Sequence, residues 1–280
     1  MKETLKIIKS KLIEQGPIKF VYYIFLFIFE ALWVNFYIKK TKKIESFSQK
    51  FEDYIISYFL NFKKKGFYVD IGANNPDIIS NTKKFYLEGW MGINIEPNFF
   101  EYQKYQKKRS RDINLNIALS NTAQTMYFYM FEANTLSTFS KKQALIYKKN
   151  GHKMIKKIRI KTHTLRQILN KYLNLKKIDF LSIDTEGFDL AILKSNDWKK
   201  YRPTVICVEA NSKFGDNSEL KKYLNNHGYS NVIDIVHYGN ILNSIYVENN
   251  YLKKTKLTIK KIKKNLWFLK YCLKFYIILH

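Results

Sequence analysis

Between Gly66 and Glu248 the apolar positions fall into short blocks whose period keeps changing. Phe67–Ile71, Met91–Ile95, Ile113–Leu119, Ile178–Ile183 and Thr204–Val208 are mostly apolar runs of the length expected for buried strands. Between them, Ile78–Glu88, Asn98–Lys108, Leu165–Tyr172, Phe188–Leu193 and Glu219–His227 carry apolar residues at helical spacing. Thr125–Phe131 alternates and predicts an inserted strand, and Ile158–Thr162 another. Ser230–Val236 and Ile241–Val247 predict a hairpin-like pair. Strands that alternate with helices and are apolar throughout imply a parallel sheet covered on both faces. The stretch Phe131–Lys157 lacks strong periodicity and predicts a lid or specificity segment between sheet elements.

The flanks read differently, which predicts three parts: an N-terminal helical extension over 1–60, a central domain over 61–248 and a C-terminal helix over 249–280. In Ile18–Ile38 only Lys19, Glu30 and Asn35 interrupt the apolar run. Its length just meets the roughly 20 residues a span requires. A central glutamate costs about 3 kcal/mol in hydrocarbon, so an interfacial or packed helix is the better reading. No small-residue cleavage site follows, which argues against a signal peptide. In Lys256–Leu279, lysines at 256, 260, 263, 270 and 274 run beside a stripe of Ile262, Leu266, Leu269, Leu273 and Ile277. A basic amphipathic helix of this kind suits an anionic membrane surface, and equally a terminal helix docked on its own domain.

Charge sharpens this division. The 280 residues hold 49 Lys+Arg against 23 Asp+Glu, a formal +26. Such an excess suggests nucleic acid, but only five of the basic residues are Arg, the type best suited to forked phosphate and base-edge contacts. Residues 176–248 carry −1 and residues 249–280 carry +9. The positive charge therefore lies outside the last third of the central domain. Cys207 and Cys272 are too few and too far apart for a disulfide framework, so a reducing compartment is expected. The expected location is cytoplasmic and peripheral at the inner membrane face.

In parallel α/β sheets, ligands bind beyond the carboxyl ends of the strands. Four core strands here end in acids, at Asp70, Glu96, Asp184 and Glu209. One such acid caps a helix without further explanation; four at one rim indicate a binding site. Asp70 opens the turn Asp70-Ile71-Gly72-Ala73-Asn74, where Gly72 allows close backbone approach. Glu96 follows 24 residues after Gly72, at the tip of the next strand, where an acid accepts bonds from ribose hydroxyls. No G-x-G-x-x-G motif precedes a helix, which disfavours a pyrophosphate. Acids at both ends suit a ribose-bearing, phosphate-free cationic cofactor such as S-adenosylmethionine.

With these residues in place, the sequence resembles the FkbM-type methyltransferases, a class I S-adenosylmethionine-dependent family. The matching stretches are Val69–Asn74, Ser80-Asn81-Thr82, Gly89–Pro97, Thr164-Leu165, Ile178–Gly187, and Arg202-Pro203 with Val205–Glu209, over about 145 residues. The chain departs from the family at Asn75-Pro76, where many members carry a glycine. The resemblance implies a doubly wound, mostly parallel, Rossmann-like sheet of seven strands with a reversed final hairpin. It also implies O-methylation of a hydroxyl, commonly on a sugar or polyketide. On that reading Asp70, Gly72, Ala73 and Asn74 seat the methionine part of the cofactor and Glu96 the ribose, while Asn116 and Ala118 face the adenine. Asp184 is the expected base, with Glu186 sharing its site.

Other readings remain at this stage. Asp184, Glu186 and Glu209 could gather Mg²⁺. The alternative is that Glu186 caps its helix and Glu209 pairs with a lysine, and metal-free function is favoured. His163 and His237 rank below Asp184 as bases. The expected acceptor is a glycan or small-molecule hydroxyl, with an anionic membrane as a partner of 256–280 and no nucleic acid expected. The alternatives are a nucleic-acid methyltransferase, a non-catalytic membrane-associated protein that keeps the fold, and a metal-dependent glycosyltransferase.

Overall fold

The computed structural model describes residues 46–173, 177–210, 217–237, 240–255 and 277–279. The two flanking segments singled out above, 18–38 and 256–276, lie outside them. Among the described residues, no helix is long and apolar enough to cross a membrane.

The chain enters through α1 (Glu52–Phe59). It continues into β1 (Phe67–Ile71), α2 (Lys83–Leu87), β2 (Met91–Ile95), α3 (Phe99–Lys108) and β3 (Ile113–Leu115). An inserted region follows: β4 (Ala118–Leu119), β5 (Thr125–Phe131), a 3-10 turn at Asn134–Leu136, α4 (Lys141–Lys149) and β6 (Met154–His163). The chain then runs through α5 (Leu165–Tyr172), β7 (Phe180–Ile183), α6 (Asp189–Lys194), β8 (Val205–Glu209) and α7 (Ser218–Asn226). It ends in β9 (Tyr229–His237), β10 (Asn240–Glu248), α8 (Asn249–Thr255) and β11 (Ile277–Leu279).

The main sheet has the order β11-β9-β10-β8-β7-β1-β2-β3. The pairs β1–β2, β2–β3, β1–β7 and β7–β8 are parallel, while β10 runs antiparallel to both β8 and β9. This is the mostly parallel sheet of seven strands with a reversed hairpin, with β11 added at one edge. Strand order reverses at β1, between β2 and β7, so the switch-point crevice lies at the ends of those three strands. A second sheet, β4-β6-β5, is formed by the insertion. Strand faces and helix stripes bury one continuous core, including Val69, Ile93, Leu181, Ile206, Leu169 and Leu193.

Several expected boundaries moved, each for a local reason. The helix expected over Ile78–Glu88 is confined to Lys83–Leu87. Asn75 Oδ1 accepts from the backbone N–H groups of Asp77 and Ile78, and Ile79 takes φ +55°. That side-chain turn competes with helix until Thr82. The strand expected over Ile113–Leu119 is two strands that join different sheets, β3 and β4. The segment Phe131–Lys157, which lacks strong periodicity, contains α4 and the start of a ten-residue β6. The boundary expected at residue 60 falls before α1: Ile55, Ile56 and Phe59 are fully buried, and residues from Ser46 onward belong to the same compact unit as the sheet. The C-terminal helix expected to reach residue 279 does not, because Ile277–Leu279 pair as a strand with β9.

Candidate functional site

The carboxyl ends of β1, β2, β7 and β8 open into a cavity of about 790 Å³, within the range of small-molecule sites. It is closed on the far side by the inserted region, through residues such as Phe128, Leu136, Phe139 and Tyr147.

At the end of β1, Gly72 takes φ +74°, and a Cβ there would sit 1.9 Å from the Asp184 carbonyl oxygen. Only glycine allows β1 and β7 to approach this closely. The Gly72 and Ala73 amides both donate to the Ile95 carbonyl, at 3.0 and 3.2 Å, and Asn74 follows in the left-handed region at φ 48°. Asp70 is buried, accepts from Thr82 Oγ1 at 2.7 Å, and is pushed up to about 6 by loss of hydration. The Thr82 bond and the nearby Arg109 guanidinium offset part of that shift.

Glu96 is equally enclosed. One carboxylate oxygen accepts from the Asn98 amide at 2.6 Å and the other from the Asn74 amide at 2.7 Å. Each oxygen keeps a lone pair for a further donor. Burial pushes Glu96 up to about 7 against these two bonds. Glu96 thus ties the β1 turn to the start of α3 and still faces the cavity.

On the other side of the switch point stand Asp184, Glu186 and Glu209, with one oxygen of each within 4.8 Å of the others. Asp184 opens to the cavity but is otherwise enclosed, and burial raises it. Asp184 and Glu209 stand side by side, burial raises both, and Glu209 Oε2 is buried with no hydrogen-bond partner among the described residues. Burial, then Asp184, Glu186 and Asp189, hold Glu209 well above the usual carboxylate range. Asp189, at the start of α6, accepts from the Thr185 amide and hydroxyl and rises to about 7. Glu186 does not cap α6. It takes φ 53°, its Oε2 accepts from the Tyr147 hydroxyl at 3.1 Å, and Thr138 Oγ1 donates to its carbonyl at 3.4 Å. Glu209 forms no ion pair with a lysine among the described residues.

The structure therefore gathers Asp70, Gly72, Ala73, Asn74, Glu96, Ala118, Asp184, Glu186 and Glu209 around one cavity. Asn116 stands apart: its side-chain amide donates to the Glu96 and Pro97 carbonyls at 2.8 and 3.1 Å, and its neighbours Ile117 and Ala118 line the wall. His163 does not line the cavity, and His237 lies at the β9–β10 turn.

Three contributors carried no signal in the sequence reading. Arg109 is buried and donates to the Pro76 carbonyl at 2.7 Å and to the Ser80 hydroxyl at 3.3 Å, which fixes the loop after β1. Tyr147 and His152 enter from the insertion. The helix that carries Tyr147 did have a legible start, since Ser140 accepts from the Gln143 amide and Ser-x-x-Gln is a capping signature.

The lining holds five carboxylates, Asp70, Glu96, Asp184, Glu186 and Glu209, and no lysine or arginine among the described residues. In a chain of charge +26 such a lining favours cationic groups over phosphates.

Comparison with known proteins agrees with this architecture. A family model described as the methyltransferase FkbM domain matches residues 70–230. Among solved structures, the FkbM methyltransferase from Methylobacillus flagellatus KT is similar at 15% identity and a TM-score of 0.45, over 71% of this chain. The chain spans about half, 48%, of that protein's length. A TehB-like SAM-dependent methyltransferase from Corynebacterium glutamicum ATCC 13032 is similar at 8% identity and a TM-score of 0.40, over 78% of this chain and 97% of its own. No curated protein matches the sequence.

Proposed function

Since the chain belongs to the FkbM methyltransferase family, we propose that it transfers a methyl group from S-adenosylmethionine to a hydroxyl of a sugar or cell-surface glycan precursor. The observation that carries this reading is the cavity of five carboxylates lined by no lysine or arginine, placed at the switch point of the sheet. S-adenosylmethionine brings a sulfonium methyl and an ammonium, two cationic groups, and vicinal ribose hydroxyls that match the spare lone pairs of Glu96.

Asp70 and the Gly72 turn form the wall for the amino-acid part, and Ile117 and Ala118 give an apolar wall for the base. Asp184 opens to the cavity beside Glu209, which burial and the Asp184 charge hold well above the usual carboxylate range. A carboxylate raised toward neutrality is a stronger base than an exposed one, and it takes the hydroxyl proton as the oxygen attacks. Burial and in-line placement supply much of the remaining rate. Phe128, Phe139 and Phe188 offer flat apolar surface beside Tyr147 and Gln143, a mixture suited to a sugar ring with its hydroxyls. A nucleic-acid acceptor fits poorly, because its phosphates would meet the acid cluster.

The test has two stages. Calorimetry should detect S-adenosylmethionine binding to the purified chain; failure to bind would favour a non-catalytic protein. Labelled cofactor incubated with a cell-envelope glycan extract should then mark the saccharide fraction. Label found only in RNA or DNA would overturn the acceptor assignment.

A further inference from the structure

The outside of the insertion is the reverse of its inside. Residues 131–163 contain nine basic residues and one acid, Glu132. None of the nine takes part in an ion pair among the described residues. Helix α4 carries four of them. Its inward stripe is Ala144, buried, and Tyr147, which reaches Glu186. Its outward face is Lys141, Lys142, Leu145, Ile146, Lys148 and Lys149, all exposed.

Two large aliphatic side chains on that face are open to solvent, Leu145 at 58% and Ile146 at 41%. They are not isolated. Ile78 and Ile79 in the loop after β1, and Phe99 and Phe100 at the start of α3, are exposed by 51–66%. Those loops leave the same ends of the strands as the catalytic acids, and Ile79 and Ile146 also line the cavity. The segments are joined at the rim. Asn134 Nδ2 donates to Glu101 Oε1 at 2.6 Å, and Asn75 Nδ2 donates to the other Glu101 oxygen at 3.4 Å.

We propose that this rim is a docking surface for an anionic bilayer, with α4 as its basic, partly inserted helix. Exposed aliphatic and aromatic side chains flanked by lysines are what an interfacial helix presents to lipid headgroups. Each lysine near an anionic surface adds to the attraction, and the apolar side chains add a contribution that salt does not screen. A polyanion such as RNA would use the charge but not Leu145 and Ile146, and would favour Arg over Lys. With the rim on the membrane, the cavity opens toward the lipid surface, which suits an acceptor carried on a lipid. The docking does not depend on the methyl-transfer reading, and vesicle binding measures it without turnover.

The experiment is co-sedimentation of the full chain with vesicles of phosphatidylcholine alone or with added phosphatidylglycerol. Binding is expected only with phosphatidylglycerol. Replacing Lys141, Lys142, Lys148 and Lys149 with Glu should weaken it by at least tenfold. The pair Leu145→Ser and Ile146→Ser, which leaves charge unchanged, should weaken it several-fold, and more visibly at high salt. All six side chains are exposed, so thermal unfolding should be unchanged and serves as the folding control. Unaltered binding in the lysine variant would overturn the proposal. So would full binding by the serine pair, together with RNA binding lost in the lysine variant, which would mark a polyanion surface instead.

Discussion

The sheet rim and the insertion that closes over it differ in sign. The strand ends and the loop after β7 supply five carboxylates to a cavity lined by no lysine or arginine, while the insertion carries nine basic residues and one acid. Net charge alone suggests a polyanion as the ligand. Among the described residues, the lysines of the insertion stand outside and the acids line the cavity, a lining that favours cationic groups over phosphates. A buried acid without a cation is costly, and the chain meets that cost in two ways. Asp70 and Glu96 accept hydrogen bonds from Thr82 and from backbone amides. Glu209, beside Asp184, is held well above the usual carboxylate range, which favours its neutral form.

The largest effect should come from breaking the acid side at Asp184. Asp184→Asn keeps the shape and loses the base. Turnover should fall by about 10² to 10⁴, the usual worth of a positioned base, while affinity for S-adenosylmethionine, read by calorimetry, stays within a few-fold. Undiminished turnover would remove Asp184 from the mechanism. Equal losses of binding and turnover would move it into the cofactor site.

How far the sequence exposes each side follows from the range of the interactions. Strand ends are legible because β-strands are short, apolar and period-bound, so Asp70, Glu96, Asp184 and Glu209 stand out locally. The class of sheet and the order of its units follow from the same pattern. Glycine at position 72 is legible as a tight turn, but its contact with the Asp184 carbonyl is not, because it joins segments 112 residues apart. Tyr147 is hidden for the same reason: it meets Glu186 only because α4 folds back across the cavity. Helix α4 itself is amphipathic in an unusual sense, with Leu145 and Ile146 exposed beside its lysines, so its apolar positions do not form one buried stripe. The helix expected at Ile78 fails because the Asn75 side chain satisfies the amides that would have started it.

Glu96 offers a smaller and differently shaped test of the same interior. Its folded value of about 7 lies above the ordinary value of 4.5. Between those values the folded chain keeps a proton that the unfolded chain has released. The stability contribution of Glu96 is therefore greatest below about pH 4.5 and is lost as pH rises through 7. The slope from one group cannot exceed about 1.4 kcal/mol per pH unit. Glu96→Gln should remove that part of the slope in denaturant unfolding measured at pH 5, 6 and 7 without cofactor. An unchanged slope would mean that Glu96 is ionised throughout, held by the Asn74 and Asn98 amides.

The smallest expected effect concerns the cluster of Asp184, Glu186 and Glu209, whose oxygens are close enough to hold a divalent ion. Two arrangements relieve the repulsion in such a cluster, a bound cation or a bound proton. Burial and the neighbouring acids hold Glu209 well above the usual carboxylate range, which favours the proton. The third member, Glu186, has its Oε2 engaged by the Tyr147 hydroxyl at 3.1 Å. Its carboxylate is thus held by the insertion, and a metal ion would have to compete with that bond. Methyl transfer should accordingly be unchanged, within a factor of about two, after exhaustive treatment with EDTA. A large loss restored by Mg²⁺ would put a metal ion in place of the bound proton, and would change the role of Asp184 from base to ligand.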